Sequence, residues 1–190
     1  KPRDVDALTA HVDVLPTLAA LAGVALPAPE KGIELDGRSL VPFLEGGDDA
    51  WFKERIVFEH NTRWPGGMTA DHKDSMAGVR WQNYLLTRCH PCKNPDCAKR
   101  SVSQCDILRL IERGATANVY TKNAQFIWGV TPGDGWALYD VHKDPACENN
   151  LADAKPDLAA RLHKSYDQWW DAIYPQMVAD GSDQRVSDEK

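Results

Sequence analysis

The first apolar pattern with a helical period lies near the start of the chain, in HVDVLPTLAALAGVALP. Asp13 is expected to cap a helix there, Pro16 suits its first turn, and Gly23 suits the left-handed position after its end. Apolar residues recur between these ends at helical spacing: Val14, Leu15, Leu18, Leu21 and Ala22. The pattern predicts a helix whose apolar stripe must pack on another surface.

A second, longer helix is predicted close to the end of the chain. Pro156 suits its first turn and Gly181 lies near its end. Apolar and aromatic residues follow one another in steps of three or four: Leu158, Leu162, Tyr166, Trp169, Ile173 and Met177. This spacing predicts one wide apolar face, on which packing in the core explains Trp169 and Trp170. Residues 182–190 are expected to form a frayed tail.

Strand-like segments fill much of the region between the two helices. Four segments are rich in β-branched and aromatic residues and are bounded by turn residues: RIVFEHN, AGVRW, NYLLTR and WALYDVHKDP. The second and third predict a hairpin at Gln82-Asn83, and the fourth ends in a turn at Asp144-Pro145. Strands without intervening helices, flanked by an early and a late helix, predict an α+β fold with a small antiparallel sheet.

Two shorter helices are predicted from local signals. GRSLVPFLEGG is expected to begin at a Ser39 cap and to end at Gly46-Gly47. QCDILRLIERG is expected to form an amphipathic helix inside an insertion that covers about residues 89–130.

Composition narrows the class of protein. The 190 residues, 43% of them hydrophobic, are enough to bury a core in one domain, or in one domain with an insertion. The net charge is −6 and the two signs are interspersed, so neither a nucleic acid nor an anionic membrane surface is expected as a partner. No segment approaches the ~20 apolar residues that span a bilayer.

Three blocks of sequence resemble the carboxy-terminal portion of the sulfatase family, in the alkaline-phosphatase superfamily. The first is the D-x-L-P-T-L-x-x-L-A-G helix that begins at Asp13, and the second is the D-G-x-S-L-x-P-x-L segment that begins at Asp36. The third is the L-Y-D-x-x-x-D-P turn that begins at Leu138 and precedes the final helix. The blocks occur in the order found in the family, which makes the resemblance more specific than one block alone.

The resemblance implies a domain organisation. Residues 1–50 would end the α/β catalytic domain, with the first helix at its edge. Residues 51–181 would form the carboxy-terminal subdomain with its cysteine-containing insertion, followed by the tail. An arylsulfatase-like enzyme would hydrolyse sulfuric esters with a formylglycine made from Cys or Ser, beside calcium or a similar divalent metal. In the family these elements precede the D-x-L-P-T-L helix, so no catalytic residue or metal ligand is expected here and this part alone is expected to be inactive.

Two near matches to the formylglycine motif do not change this expectation. CHPCK has Lys93 where the motif requires arginine, and CDILR has Ile107 where it requires proline or alanine. Both follow the helix that should come after the active site. His11 and Asp13 suggest a metal pair by spacing, but the capping role already explains Asp13.

The loop EHNTRWPGGMTADHK is the candidate substrate rim. It combines cationic donors with a glycine-containing loop, a composition suited to an anionic sulfated substrate, and in similar enzymes this region approaches the active-site mouth. The alternative is a solvated surface loop. Trp64 is a candidate for stacking on a sugar ring. The rim candidates are Glu59, His60, Arg63, Trp64, His72 and Lys73.

Four of the five cysteines are clustered: Cys89, Cys92, Cys97 and Cys105. In an exported enzyme they are candidates for disulfides, with three possible pairings. They are also four soft ligands for one tetrahedral zinc, or free thiols, and these alternatives stay open. Cys147 is unpaired unless it bonds into the cluster.

Function and location follow as expectations from the resemblance. The substrate would be a sulfated small molecule or saccharide that binds through the catalytic domain. The expected location is periplasmic or extracellular, although no signal segment occurs in the sequence. Two alternatives are a zinc-stabilised binding module built on the cysteine cluster, and a phosphatase or phosphonate hydrolase of the same superfamily.

Overall fold

The computed structural model describes residues 4–26, 35–60, 69–74, 77–88 and 135–179. The described chain contains an α+β arrangement of a small sheet and a long helix, which confirms the predicted fold class. It divides into two compact units, Lys1–Val57 (unit 1) and Phe58–Lys190 (unit 2). The domain boundaries inferred from the resemblance stay predictions, as do their assignments to sulfatase domains.

Unit 1 is built from short helices. A 3₁₀ turn at His11–Asp13 leads into α1 (Val14–Leu21), which is followed by α2 (Val41–Leu44) and α3 (Trp51–Glu54). Gly23, at φ +66°, ends α1 in the left-handed conformation, and the Val24 amide donates to the Ala19 carbonyl. This closing pattern is the one that the position of Gly23 predicts.

The starts of the helices in unit 1 differ in part from prediction. Asp13 does not cap α1 with its side chain, because that carboxylate is bound elsewhere. The predicted Ser39 cap is wrong by one residue, because Leu40 is the N-cap of α2 and makes no side-chain cap; the Ser39 hydroxyl accepts a hydrogen bond from the Val41 amide at 3.3 Å. Helix α3 was not anticipated; the Asp49 carboxylate accepts the Trp51 amide at its start, at 3.0 Å.

The apolar stripe of α1 faces solvent in the described structure. Thr17 and Pro16 occupy the buried side of the helix. The residues of the predicted stripe are more than half exposed, as is Leu44 of α2: Val14, Leu15, Leu18, Leu21 and Leu44. No described part of the chain covers this surface, which we call the α1 face.

A four-stranded sheet runs in the order β1 (Ile56–His60), β2 (Ala77–Trp81), β3 (Tyr84–Arg88) and β4 (Ala137–Asp140). Strands β2 and β3 form the predicted hairpin, with Trp81 paired to Tyr84, and β4 pairs antiparallel with β3. The turn at Gln82-Asn83 uses a positive φ of 48° at Gln82, a conformation that two-residue hairpin turns require.

Helix α4 (Pro156–Ala179) packs against β2 and β3. The core of unit 2 lies between them, where residues from both the helix and the sheet are fully buried: Val79, Leu86, Leu138, Leu162 and Tyr166. Trp170 is also buried, and Trp169 stacks on Phe58 with 5.1 Å between ring centroids. Core packing is therefore confirmed for Trp170, whereas Trp169 is half-buried and packs on Phe58.

The loop after β4 folds back along that strand. The Leu138 amide donates to the Asn150 side-chain oxygen at 3.0 Å, and the Leu151 amide donates to the Leu138 carbonyl at 2.7 Å. Asp144 accepts the amides of Glu148 and Asn149 and so holds the turn between these positions. The L-Y-D-x-x-x-D-P block is thus a turn whose carboxylates bind its own backbone.

Candidate functional site

The segment Thr69–Asp74 contains the described end of the candidate rim, and several contacts fix its position. It includes a short 3₁₀ helix, Ala70–His72. The His60 ring nitrogen Nε2 donates to the His72 carbonyl at 2.8 Å, since a carbonyl oxygen can only accept. The end of β1 therefore holds this segment directly.

Helix α4 holds the same segment through Lys73. The buried Tyr166 hydroxyl donates to the Lys73 carbonyl, and the Lys73 ammonium lies 2.8 Å from Asp167 and 3.5 Å from Asp171. Partial burial opposes the charged ammonium, but the two carboxylates outweigh it and raise the pKa of Lys73. Burial, with the nearby Asp74 charge, raises the pKa of Tyr166, so the hydroxyl remains a donor at any physiological pH.

A third contact joins the segment to the sheet. The Asp74 carboxylate lies 2.7 Å from the Arg88 guanidinium at the end of β3. Together with the Lys73 pairs, this contact gives the side chains of Lys73 and Asp74 oppositely charged partners within unit 2. The arrangement is suited to fixing a backbone position and not to supplying an ionised nucleophile.

His60 is a described rim candidate whose side chain, an imidazole, is of a type that takes part in acid–base chemistry. Burial lowers its pKa, despite opposing contributions from the His72 and Lys73 backbone and from Asp74. Its ring lies 5.0 Å from the Trp170 ring. At neutral pH His60 is therefore a neutral imidazole whose Nε2 proton is engaged by the His72 carbonyl.

The other predicted site residues are placed as follows. Glu59 is exposed on β1, His72 is fully buried, and Lys73 is ion-paired. Arg63 and Trp64 lie outside the described residues, as do Cys89, Cys92, Cys97 and Cys105. Cys147 carries a free thiol whose pKa is raised by burial and by Asp144. Substrate contact by the rim candidates, and the state of the four clustered cysteines, stay predictions.

Tyr166→Phe tests the anchoring of the Thr69–Asp74 segment. The substitution removes the hydroxyl that the Lys73 carbonyl accepts, so the free energy of unfolding should fall by about 1 to 2 kcal/mol. Tyr174→Phe is the matched control on the same helix, with a stacked ring and an expected loss within about 0.5 kcal/mol. Urea denaturation measures both values. Equal losses in the two variants would contradict the anchoring role.

A second cluster of polar side chains is buried in unit 1 around Asp13. Its carboxylate accepts the amides of Ala10 at 2.8 Å and Arg38 at 2.9 Å. It also accepts a hydrogen bond from the Arg55 guanidinium, with 2.5 Å between the nitrogen and the carboxylate oxygen. Asp13 is 0% and Arg55 4% exposed at the side chain. Burial alone would raise the pKa of Asp13, but Arg55 and the two amides lower it.

The same cluster joins the first two sequence blocks. Thr17 donates its hydroxyl to the Asp13 carbonyl at 2.6 Å and accepts the Leu40 amide at 2.9 Å. A Cβ atom at Gly37 would overlap the Val12 carbonyl and lie 3.0 Å from the Asp13 amide nitrogen. Asp13 and Thr17 of the first block thus bind the backbone of the second, and Gly37 permits the close approach.

Arg55 is the member of this cluster that the sequence did not indicate. It lies 42 residues from Asp13 in the sequence. It comes directly before a strand, and no motif around it marks its side chain as the partner of a distant carboxylate. Its guanidinium also lies 5.1 Å from the Trp51 ring centroid. The sequence feature that pointed to this cluster was Asp13, which occurs in the D-x-L-P-T-L block.

Within the described ranges, no group of three or more His, Cys, Asp or Glu side chains is arranged to hold a metal ion. Among the helices that can be described, none combines the length and apolar character that a bilayer crossing requires.

No protein-family model and no curated protein matches the chain. Solved structures do match. A 2-O GAG sulfatase is 24% identical with a TM-score of 0.48, over 92% of this chain and 28% of its own. A putative sulfatase from Bacteroides thetaiotaomicron is 23% identical with a TM-score of 0.40. The match covers 90% of this chain and 25% of that sulfatase.

A third matching structure was solved in complex with its substrate, D-glucosamine-2-N,6-O-disulfate. It is 18% identical with a TM-score of 0.42, over 84% of this chain and 23% of its own. The chain spans about a quarter of the length of each of these three structures. It is similar to sulfatases of known structure over that part of their length.

Proposed function

We propose that the chain is the carboxy-terminal part of a sulfatase, an enzyme that hydrolyses sulfuric esters. The observation that carries the proposal is the Asp13 cluster. Residues that define the first two family-like blocks contact one another: Asp13 and Thr17 bind the amides of Arg38 and Leu40. The two blocks therefore act as one structural unit, which supports the proposal.

The α1 face supports the same proposal. Helix α1 buries Pro16 and Thr17 and leaves its leucines exposed to solvent, and a large exposed apolar patch is typical of an interaction surface. Val14, Leu15, Leu18 and Leu21 are each between 53% and 60% exposed. We assign this face to contact with the α/β catalytic domain, at whose edge α1 would lie.

The bond-breaking chemistry is assigned to residues outside this chain. A formylglycine would supply the nucleophile and a divalent ion such as calcium would neutralise the sulfate oxygens. The described residues do not fit a metal site, and no reaction step is assigned to any of them. The role proposed for this chain is to complete the catalytic domain and to hold the substrate rim.

The rim role is narrowed by the geometry of the described residues. His72 is fully buried and Lys73 is paired with two aspartates, so we assign both to support of the adjacent loop. Glu59 is exposed, and His60 is held next to it at the end of β1. Contact with substrate is proposed for Glu59 and for the predicted loop residues Arg63 and Trp64.

The substrate class proposed is a sulfated saccharide, processed in a periplasmic or extracellular location. The cationic and aromatic loop residues suit it, and one matching structure has D-glucosamine-2-N,6-O-disulfate as its substrate. Disulfide formation by the clustered cysteines belongs to this proposal because an oxidising compartment would favour it.

An aryl sulfate assay tests the proposal. The 190-residue chain alone should hydrolyse 4-nitrophenyl sulfate no faster than a buffer blank, whereas a polypeptide extended to include a formylglycine motif should turn it over. The extended polypeptide should prefer the sulfate to 4-nitrophenyl phosphate. Hydrolysis by the 190-residue chain at the rate of the extended polypeptide would overturn the assignment of catalysis. A preference for the phosphate would instead favour the phosphatase alternative.

A further inference from the structure

Two aromatic rings stack on each other next to the β2–β3 turn. Trp81 and Tyr84 are cross-strand partners, with ring centroids 6.3 Å apart and ring planes within 14° of parallel. Both side chains are half-buried, so part of each ring remains accessible. A stacked aromatic pair that remains partly accessible offers apolar contact area to a ligand.

Two cations from the start of α4 lie over these rings. The Arg161 guanidinium carbon is 3.9 Å from the Trp81 ring centroid, and the Lys155 ammonium is 5.6 Å from that of Tyr84. Both residues are exposed. Trp81, Tyr84, Lys155 and Arg161 together form what we call the Trp81 surface.

Neither cation has an acidic partner within the described residues. Asp153 and Asp157 are exposed and close in sequence, yet neither lies within ion-pair distance of Lys155 or Arg161. Lys73, which also contacts α4, differs because it pairs with two aspartates. A cation–π contact at an exposed site is weaker than a charge-assisted hydrogen bond to an anion, so an anionic ligand would attract both side chains.

Trp81 also has an unused donor. Its indole Nε1–H is buried and has no hydrogen-bond acceptor, which is unfavourable for a buried polar group. Arg161 lies over the ring of the same residue. An acceptor oxygen on a ligand at this surface would satisfy this donor.

We propose that the Trp81 surface binds a short sulfated saccharide. The sugar ring would lie against Trp81 and Tyr84, and sulfate groups would pair with Lys155 and Arg161. A short saccharide is favoured over a nucleic acid because the surface offers two cations, enough for one or two sulfate groups. An extended nucleic acid would place many further negative charges against a chain whose net charge is −6. This binding goes beyond the proposed hydrolysis and does not depend on it.

A titration of the 190-residue chain with a heparin-derived tetrasaccharide tests the proposal. The Trp81 indole signal in a ¹H–¹⁵N spectrum, assigned with Trp81→Phe, should shift on addition, and calorimetry gives the Kd. Arg161→Gln and Lys155→Gln should each weaken binding by about tenfold. Lys53→Gln removes the same charge from an exposed residue of unit 1 and should leave the Kd within about twofold.

Three comparisons decide the outcome. The desulfated tetrasaccharide and inorganic sulfate should both bind at least about tenfold more weakly than the sulfated tetrasaccharide, because one lacks the charges and the other the ring. An unshifted Trp81 signal, or unchanged affinity in both glutamine variants, would overturn the proposal. So would equal binding of inorganic sulfate, or tighter binding of a single-stranded oligonucleotide. Since no hydrolysis is measured, these outcomes are independent of the sulfatase assay.

Discussion

Asp13→Asn is expected to lower the free energy of unfolding of unit 1 by about 3 to 5 kcal/mol, because it leaves the Arg55 guanidinium buried without a counter-charge. Asparagine has nearly the shape of aspartate, so the loss would reflect charge and hydrogen bonding more than packing. The indole signal of Trp51, the one tryptophan in residues 1–57, reports unfolding of this unit in urea.

Asp48→Asn is the matched control for this substitution. It removes a carboxylate from an ion pair with Lys53 in which both side chains are more than 60% exposed. Such pairs contribute little, and the expected loss is under about 1 kcal/mol. Equal losses in the free energy of unfolding would mean that the buried pair stabilises unit 1 no more than the exposed pair does.

The dependence on pH gives a second readout of the same pair. The pKa of Asp13 is lowered in the folded chain, so its contribution to stability is fully present above the unfolded pKa of ~4. That contribution is lost as the pH falls through the lower, folded value. Asp13→Asn should remove this part of the acid sensitivity. An unchanged acid profile would contradict a lowered pKa.

Gly37→Ala is expected to destabilise unit 1 by about 3 kcal/mol, because the new Cβ would overlap the Val12 carbonyl. The neighbour is backbone, which cannot rotate away as a flexible side chain can. Separation of the two segments would also weaken the Arg38 amide bond to Asp13. The midpoint of urea denaturation, followed at Trp51, measures the loss.

Gly135→Ala serves as the comparison for the glycine substitution. A Cβ at Gly135 would meet nothing within 4 Å, so the expected change is within about 0.5 kcal/mol. If Gly37→Ala proved as mild as Gly135→Ala, residues 12 and 37 would not be in close contact. The joining of the first two sequence blocks would then need another explanation.

Unit 2 was the part of the fold that the sequence predicted well. Strands β1, β2 and β3 and the hairpin at Gln82-Asn83 appear where composition and turn residues placed them. Helix α4 begins at Pro156, as its apolar spacing indicated. These features depend on neighbours a few residues apart, which is the range over which periodicity and turn chemistry operate.

Unit 1 shows why the rest could not be predicted. The partners of Asp13 lie 25 and 42 residues away, and no local pattern distinguishes a carboxylate that caps a helix from one that binds a distant arginine. The apolar residues of α1 do recur at helical spacing, but the spacing alone does not identify the surface that covers them. For the candidate rim, sequence identified cationic residues without revealing that Lys73 is already paired and His72 already buried.

The loop that folds back on β4 has a consequence for association between molecules. An outermost strand with free amides and carbonyls is a template on which a foreign strand can add. At Leu138 both outward-facing backbone groups are already occupied, by Asn150 and by Leu151. A foreign strand could pair at Leu138 only if the loop that carries Asn150 and Leu151 first moved away from β4.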